Sequence, residues 1–479
     1  MTGKDNRGGL SRRDVIATGT AFAAASATVG CAQNEASTFL HLPKGFIWGA
    51  STAAAQIEGA AMTDGRGPSI WDAFASTPGN IRDGATPAVA CDHYHRYKED
   101  VALMKQLGLQ AYRFSVSWSR VMPEGTGTIN EAGLDFYSHL IDELLANGIE
   151  PWLCLYHWDL PLALHERGGW PNRDCAAWFV DYAALLGDRF GDRVERWATF
   201  NEPNMFVLAG YGAGTDAPGI ADFGAMLAAA HTVNIAHGHA VKALRDLNVK
   251  GQIGVICNQQ PALPVTPSDD DKAAAAFMDL VWNRSFADPM ILGDYPEGLK
   301  ELYAPFVQDG DLDIIRQPID FFGLNHYSPT YVKSDPSAIG GIGFGAPPEG
   351  APTTMMGWEI APDAFAKTLT QEYERYGLPI VVTENGMADA AEVGPDGKVN
   401  DQGRIDYLSK YLGAVASVID AGARIDGYFV WSLIDNFEWS EGYGPRFGVV
   451  HIDYETLKRT PKASFYWLAQ QIEHQRADL

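Results

Sequence analysis

The sequence predicts an α/β fold, a single (β/α)8 barrel of the TIM type, and three observations lead to it. First, eight short runs of β-branched or aromatic residues alternate with longer amphipathic stretches from Phe39 onward, which is typical of a closed parallel barrel. Second, no internal repeat, charge block or Ser/Pro-rich linker divides the chain into separate domains. Third, barrels of this type often exceed the usual domain length, so 479 residues fit one large unit.

These short runs of β-branched or aromatic residues give eight candidate strands. They are Phe46–Ser51, Ala111–Val116, Glu150–Leu155, Arg196–Phe200, Gln252–Ile256, Phe321–Leu324, Ile380–Thr383 and Gly427–Ser432. Amphipathic patterns predict helices between them, for example His95–Leu107, Leu134–Asn147 and Cys175–Phe190. Gly108 and Gly148 provide helix stops. The segment Asp335–Gly357 is rich in Gly, Pro and Ser and is predicted to be a long surface loop.

Composition and charge exclude several classes of protein. Hydrophobic residues make up 46% of the chain, which indicates a sizeable core rather than a disordered protein. The 60 acidic residues outnumber the 36 basic ones and give a net charge of −24. This balance argues against nucleic acid as a partner and against an anionic membrane surface. The five cysteines are an odd number and form no CxxC pair, so neither a disulfide framework nor a thiolate zinc site is supported.

The N-terminal segment has the pattern of an export signal. Paired arginines, Arg12 and Arg13, precede a small-residue apolar run that is too short and too alanine-rich to be a secure membrane span. We predict that residues 1–36 are a twin-arginine-type signal with a short linker and that residues 37–479 form the barrel. The expected location is the periplasm. The alternative is a lipid anchor at Cys31, although the usual Leu-like residue three positions earlier is missing.

Barrel enzymes place their chemistry at the carboxyl ends of the strands, so polar residues there are the candidate site. They are Gln56, Arg113, His157, Asn201, Glu202, Asn325, Tyr327, Glu384, Trp431, Glu438 and Trp439. Carboxylates with one arginine and several neutral hydrogen-bonding groups favour acid/base or glycosyl-transfer chemistry. A metal site with several histidines is not indicated, and His93-Tyr94-His95 is interpreted as packing at a helix start.

Two glutamates stand directly after predicted strands, in Thr199-Phe200-Asn201-Glu202-Pro203 and Val382-Thr383-Glu384-Asn385-Gly386. Further motifs occur in order along the chain: Glu58-Gly59, Tyr112-Arg113-Phe114-Ser115, Tyr156-His157-Trp158-Asp159-Leu160-Pro161, Asn436-Phe437-Glu438-Trp439 and Arg446-Phe447-Gly448. Together they resemble the retaining β-glycosidases of glycoside hydrolase family one, most of all the bacterial β-glucosidases. The resemblance runs from about Phe39 to about Phe465.

The resemblance implies catalytic roles for four residues. Glu202 matches the general acid/base and Glu384 the nucleophile, and in a retaining enzyme such carboxyls lie roughly 5–5.5 Å apart. Two carboxyls at that distance are expected to share about one proton. Arg113 matches a position beside the nucleophile and favours its ionised form. Tyr327 matches a residue that donates a hydrogen bond to the nucleophile.

The resemblance also implies which residues bind the sugar: Gln56, His157, Asn201, Asn325, Trp431, Glu438, Trp439 and Phe447. Asn201 is expected at the 2-hydroxyl, Trp431 beneath the ring and Trp439 near the 3-hydroxyl. A carboxyl at Glu438 disfavours 6-phosphorylated sugars, and the glutamate at Glu202 favours O-glycosides over thioglucosides. No cofactor and no metal are implied.

We therefore expect a β-glucosidase that removes terminal non-reducing β-D-glucosyl residues from glucosides or short β-gluco-oligosaccharides in two steps. The alternatives are a β-galactosidase or β-fucosidase of the same family, a non-catalytic sugar-binding barrel of the cell envelope and a metal-dependent hydrolase. The sequence does not rank the sugar epimers, and it leaves the aglycone preference and the oligomeric state open.

Overall fold

The computed structural model describes residues 40–477, which are built around a closed barrel of eight parallel strands. The barrel strands, β1 to β8 in chain order, are Ile47–Ser51, Ala111–Ser115, Glu150–Tyr156, Arg196–Asn201, Gln252–Asn258, Phe321–Asn325, Ile380–Asn385 and Ile425–Trp431. Each strand pairs with its neighbours in the chain, and β8 closes the barrel by pairing with β1 from Ile47↔Gly427 to Ser51↔Trp431. The predicted (β/α)8 barrel is confirmed.

Helices surround the barrel and connect its strands. The longer ones are His93–Leu107, Glu131–Ala146, Asp174–Phe190, Phe223–Asp246, Asp269–Asp279, Pro362–Tyr376, Gln402–Asp420 and Ala463–Ala477. Short α-helices span Ala54–Ile57, Ile70–Ser76, Trp118–Val121, Leu162–His165, Pro203–Val207, Ala287–Ile291, Lys300–Tyr303 and Asp311–Ile315. Two π-helices, Leu208–Ala213 and Leu280–Arg284, lie on the connections after β4 and β5. Three-residue 3-10 turns span Glu297–Leu299, Ile339–Gly341 and Trp439–Glu441.

Five barrel strands extend past their predicted ends, and four of them end in an asparagine. The last residues of β4, β5, β6 and β7 are Asn201, Asn258, Asn325 and Asn385. Asparagine is depleted in strands, so an apolar pattern stops short of it. In this barrel the extra residues are held by pairing with neighbouring strands, and they bring polar side chains to the rim.

The amino end of the barrel interior is filled by side chains. Trp152, Phe321 and Phe429 form a buried layer with smaller residues, and the Trp152 and Phe429 rings lie 4.7 Å apart. Gly49 on β1 makes room for this layer, because a Cβ there would lie 2.3 Å from the Phe429 ring. The interior is therefore a packed core, and the polar site lies at the carboxyl end.

The prediction of a long loop over Asp335–Gly357 is wrong in part. Ile342–Gly345 forms a strand that pairs antiparallel with Thr330–Ser334, which also pairs with Ala262–Pro264. Two of the four residues in Ile342–Gly345 are glycines, which are depleted in strands and hide the pattern. A second small sheet pairs Val450–Ile452 with Arg459–Pro461.

The predicted export signal, residues 1–36, which includes Cys31, lies outside the described residues. Within residues 40–477, no helix combines the length and the apolar character that crossing a membrane requires. The division of the chain at residue 36 stays a prediction.

Candidate active site

The strand register brings the predicted residues together at the carboxyl end of the barrel. Asn325 on β6 is in register with Asn258 on β5 and with Glu384 on β7. Glu202 follows directly after β4 and starts the short helix Pro203–Val207. Both glutamates are almost completely buried. The two carboxyls therefore share one protected polar region, as expected from the sequence.

Glu384 is surrounded by donors that stabilise a carboxylate. The guanidinium of Arg113, itself buried, donates to Glu384 Oε1 and forms an ion pair with it. The Tyr327 hydroxyl donates to Glu384 Oε2 at 2.6 Å. Burial, with the Glu384 charge second, raises the pKa of Tyr327 well above its usual value, so this hydroxyl remains a donor. Both oxygens of Glu384 are thus paired with a group that donates.

Glu202 lies in a different environment, with no cation bonded to it among the described residues. Its Oε1 accepts hydrogen bonds from the side-chain amides of Asn258 and Asn325, each at 2.9 Å. Burial, followed by repulsion from the Glu384 charge, raises the pKa of Glu202 from 4.5 to about 8. At neutral pH Glu202 therefore holds a proton, while Arg113 balances the charge of Glu384.

A chain of amides links Arg113 to His157 and sets the orientation of each group. Arg113 Nη1 donates to Asn201 Oδ1 at 2.7 Å, and Asn325 donates to the same oxygen at 3.0 Å. Asn201 Nδ2 is consequently a donor, and it lies 3.1 Å from His157 Nε2. Because His157 Nε2 must accept, the neutral ring carries its proton on Nδ1. Burial, with a smaller effect of Arg113, lowers the pKa of His157 well below its usual value, so the ring is neutral.

Buried polar atoms in this region that have no hydrogen-bond partner among the described residues include Gln56 Oε1, His157 Nδ1 and Glu438 Oε1. Gln56 Nε2 donates to Asn436 Oδ1 at 2.8 Å and lies 3.4 Å from Glu438 Oε2, which leaves its Oε1 as an acceptor. Burial and the Glu384 charge raise the pKa of Glu438. Buried polar atoms are normally paired. Acceptors beside a donor match the hydroxyl groups of a sugar, each of which both donates and accepts.

Aromatic rings form the walls of this region. The His157 ring is roughly parallel to Trp431 and to Trp439, with centroids 6.0 and 5.9 Å away. Trp158 stacks on Trp439 at 4.6 Å. The Phe447 ring packs edge-on against the Tyr327 ring, with centroids 6.1 Å apart. Phe447 therefore helps to position Tyr327, which donates to Glu384. Flat apolar faces of this kind suit the C–H face of a pyranose.

Three residues of the site adopt left-handed backbone conformations that non-glycine residues rarely use. Their φ angles are 78° at Trp158, 49° at Glu202 and 53° at Trp439. Such conformations cost on the order of 1–3 kcal/mol each and concentrate at functional sites. At Glu202 the unusual turn redirects the chain from β4 into the next helix, and its N–H donates to the Ile256 carbonyl at 2.8 Å.

Two histidines outside this region have structural partners. His93 Nδ1 lies 2.8 Å from Asp100, which also pairs with Arg459, in agreement with the interpretation of the His93-Tyr94-His95 segment as packing. His237 contacts Thr199 at 2.7 Å. Among residues 40–477, no three side chains of the His, Cys, Asp or Glu type converge in an arrangement that could hold a metal ion.

The sequence analysis missed Asn258 and assigned no role to Trp158. Asn258 ends β5 and donates to Glu202, and the rule applied to the other strands, to take the polar residue after the apolar run, would have found it. Trp158 donates from Nε1 to the Asn201 carbonyl at 3.0 Å. Its position just after β3, next to His157 in the Tyr156–Pro161 motif, is the signal that could have found it.

Comparison with known proteins identifies the family. The family model described as "Glycosyl hydrolase family 1" matches residues 39–477. The chain belongs to glycosyl hydrolase family 1. The resemblance of its motifs is thereby confirmed.

Several relatives of this family 1 chain are similar over most of their length. Beta-glucosidase A of Thermotoga maritima is 46% identical over 437 residues, which cover 90% of this chain and 98% of the relative. A bifunctional beta-D-glucosidase/beta-D-fucosidase of Bifidobacterium breve is 44% identical over 90% of this chain and 98% of its own length. The crystal structure of a psychrophilic beta-glucosidase from Micrococcus antarcticus superposes with a TM-score of 0.88 at 46% identity, over 91% of this chain and 98% of that one.

Proposed function

We propose that the protein is a retaining β-glucosidase that releases terminal non-reducing β-D-glucosyl residues from neutral glucosides or short β-gluco-oligosaccharides. The observation that carries the proposal is the unequal surroundings of the two buried glutamates. Glu384 is paired with a cation and a hydroxyl, whereas Glu202 is bonded to neutral amides and retains a proton. Glycoside hydrolysis uses one carboxylate and one carboxylic acid at the same site. The resemblance of the motifs to the retaining enzymes of family 1 favours the two-step route.

In the first step Glu384 acts as the nucleophile and Glu202 as the general acid. Glu384 attacks the anomeric carbon while Glu202 gives its proton to the departing glycosidic oxygen, so the C–O bond breaks and a glycosyl ester forms. Arg113 and Tyr327 hold the attacking carboxylate in position. Asn201, fixed by Arg113, is placed to bond the 2-hydroxyl, a contact that strengthens as positive charge develops on the ring.

In the second step the same Glu202 acts as a base. Formation of the ester removes the negative charge of Glu384, which is one of the two causes that raise the pKa of Glu202. The pKa of Glu202 falls, and its carboxylate can take a proton from the water that attacks the ester. Two displacements at one carbon return the original β configuration. Glu202 can serve both steps because Glu384 changes charge between them.

The free polar atoms define the sugar-binding subsite. Gln56 Oε1, His157 Nδ1 and Glu438 Oε1 are placed to bind hydroxyls, with Trp431 beneath the ring, and Trp439, Asn325 and Phe447 complete the set. A buried acidic side chain at Glu438 favours a neutral 6-hydroxyl over a 6-phosphate. The names of the Thermotoga and Micrococcus relatives support the glucosidase assignment.

β-Fucosidase activity is the second candidate, because the Bifidobacterium relative carries both activities in its name. The test is a panel of nitrophenyl β-glycosides assayed with the wild type and with Glu384→Gly. We expect the highest kcat/KM with the glucoside, loss of turnover in the variant, and β-glucose as the first product by NMR. A galactoside or fucoside rate far above the glucoside rate would overturn the glucosidase assignment, and turnover unaffected by Glu384→Gly would overturn the mechanism.

The location of the protein is a separate proposal. The paired arginines Arg12 and Arg13 and the apolar run after them support export to the periplasm by a twin-arginine-type signal, with a lipid anchor at Cys31 as the alternative. The mature chain is expected to begin between Thr28 and Cys31. N-terminal sequencing that finds Met1 or Thr2 contradicts export, and a mass increase equal to a lipid group at Cys31 favours the anchor.

A further inference from the structure

Asn258 has its side chain fixed between a group that can only donate and the carboxyl of Glu202. Trp282 Nε1 donates to Asn258 Oδ1 at 3.2 Å, and Asn258 Nδ2 donates to Glu202 Oε1 at 2.9 Å. An indole N–H has no acceptor capacity, so the amide oxygen must face Trp282 and the NH2 group must face Glu202. Trp282 thereby decides that Asn258 donates to the carboxyl rather than accepts from it.

The donated hydrogen bond has a consequence for the location of the proton on Glu202. Asn325 Nδ2 donates to the same Oε1 at 2.9 Å, so this oxygen accepts two N–H groups. A proton on Oε1 would be directed at the N–H group of Asn258 or of Asn325. It would also occupy a lone pair that accepts one of these hydrogen bonds. The proton of the neutral acid is therefore placed on Oε2.

Trp282 and Asn258 are both hydrogen-bonded to the segment that carries Glu202. Asn204, two residues after Glu202, donates from Nδ2 to the carbonyl of Asn258 at 2.8 Å and to that of Trp282 at 3.2 Å. Trp282 lies on the π-helix Leu280–Arg284, and π-helices occur frequently at functional sites. One amide thus joins the start of the Glu202 helix, the end of β5 and the π-helix.

We infer that Trp282 and Asn258 are positioning residues that direct the proton of Glu202 to Oε2, the oxygen that must then protonate the leaving group. This inference rests on the proposed glycosidase function and deepens it. Trp282 acts through Asn258, and Asn258 acts through the carboxyl of Glu202.

The other titratable groups that face Glu202 would stay unchanged in variants of this pair. They are Glu384 on β7, Arg113 on β2, Cys257 on β5 and Tyr327 after β6. Since a donated hydrogen bond favours the carboxylate, removal of the Asn258 donor raises the pKa of Glu202 further. The basic limb of the pH profile then moves to higher pH while the proton loses its fixed location.

The test compares Trp282→Phe, Asn258→Leu and the double variant with wild type. Each single variant is expected to move the basic limb of kcat/KM upward by roughly one pH unit, the scale of one hydrogen bond to a carboxylate. Each is also expected to lower kcat/KM at least about fivefold for an alkyl β-glucoside, whose leaving group needs a proton, and much less for a dinitrophenyl β-glucoside. In the Asn258→Leu background, Trp282→Phe should add no further shift.

Trp178→Phe, on the outer helix Asp174–Phe190, is the matched control and should leave both readouts unchanged. An unchanged basic limb, or an equal loss with both leaving groups, would show a merely structural role and overturn the inference. Failure of the wild type itself to hydrolyse β-glucosides would refute the proposed function instead, so the two failures are distinguishable.

Discussion

The raised pKa of Glu202 makes a quantitative prediction about the pH dependence of the reaction. The acid must be protonated to assist departure of the leaving group, and its pKa is about 8. Activity is therefore present below pH 8 and is lost as the pH rises through that value. For a nitrophenyl or alkyl β-glucoside, kcat/KM should fall to about one tenth of its plateau at pH 9 and about one hundredth at pH 10.

The assay is the initial rate at substrate concentrations far below KM, measured at half-unit intervals of pH. Circular dichroism at each pH separates titration from alkaline unfolding. A dinitrophenyl β-glucoside serves as control, because its leaving group departs without a proton and its profile should lack most of the basic limb. A basic limb near pH 6, or an identical limb for both substrates, would refute the reasoning.

The effect of the Glu384 charge on the pKa of Glu202 can be tested by removal of that charge. Burial is the larger cause of the raised pKa of Glu202, and the charge of Glu384 is the next. In Glu384→Gln the pKa of Glu202 should therefore drop below 8 yet stay above 4.5. Carbon-13 NMR of labelled glutamate, with Glu202→Gln to assign the signal, measures it. A pKa that remains at 8 would show that the two carboxyls do not interact.

Three further predictions concern packing, stability and thiol reactivity. Gly49→Ala is expected to lower the free energy of unfolding by about 1–3 kcal/mol, because the new Cβ overlaps the Phe429 ring, and an unchanged denaturation midpoint would contradict this packing. Glu202→Gln is expected to gain stability over wild type as the pH rises from 4.5 to 8, because the native wild type binds more protons than its unfolded chain over that range; equal differences at pH 5 and pH 9 would argue against it. Burial raises the pKa of the thiols of Cys91, Cys154, Cys175 and Cys257, so these four should react with a thiol reagent only after denaturation, and fast labelling of the native protein would disprove it.

The barrel was predictable because apolar strand cores carry a strong local signal. β2 and β3 were found within one residue of their ends from such runs. The signal fails where polar residues take part in the sheet, as at Asn258 and Asn385, whose places are decided by pairing with distant strands. It also fails for Ile342–Gly345, where glycines interrupt the run.

The candidate site was predictable in its membership but not in its hydrogen bonds. A polar residue at the end of each strand must lie at the same rim as the others, so Glu202 and Glu384 could be grouped from the chain alone. Arg113 lies within β2, and its place beside the nucleophile was implied by the family resemblance. Which atom donates to which is decided by side-chain positions that no periodicity encodes. Trp282 stands in a π-helix 24 residues after its acceptor Asn258, and nothing in the sequence links the two.

Groups that can only donate fix the direction of the hydrogen bonds around the two glutamates. Arg113 has no acceptor and so orients Asn201, just as the Trp282 indole orients Asn258. If either donor were a group that could also accept, the adjoining amide could turn over and present its oxygen to the site. An amide oxygen of Asn258 facing Glu202 would favour a proton on Oε1 rather than on Oε2. Burial and the charge of Glu384 therefore determine that Glu202 holds a proton, and the fixed direction of these hydrogen bonds determines which oxygen carries it.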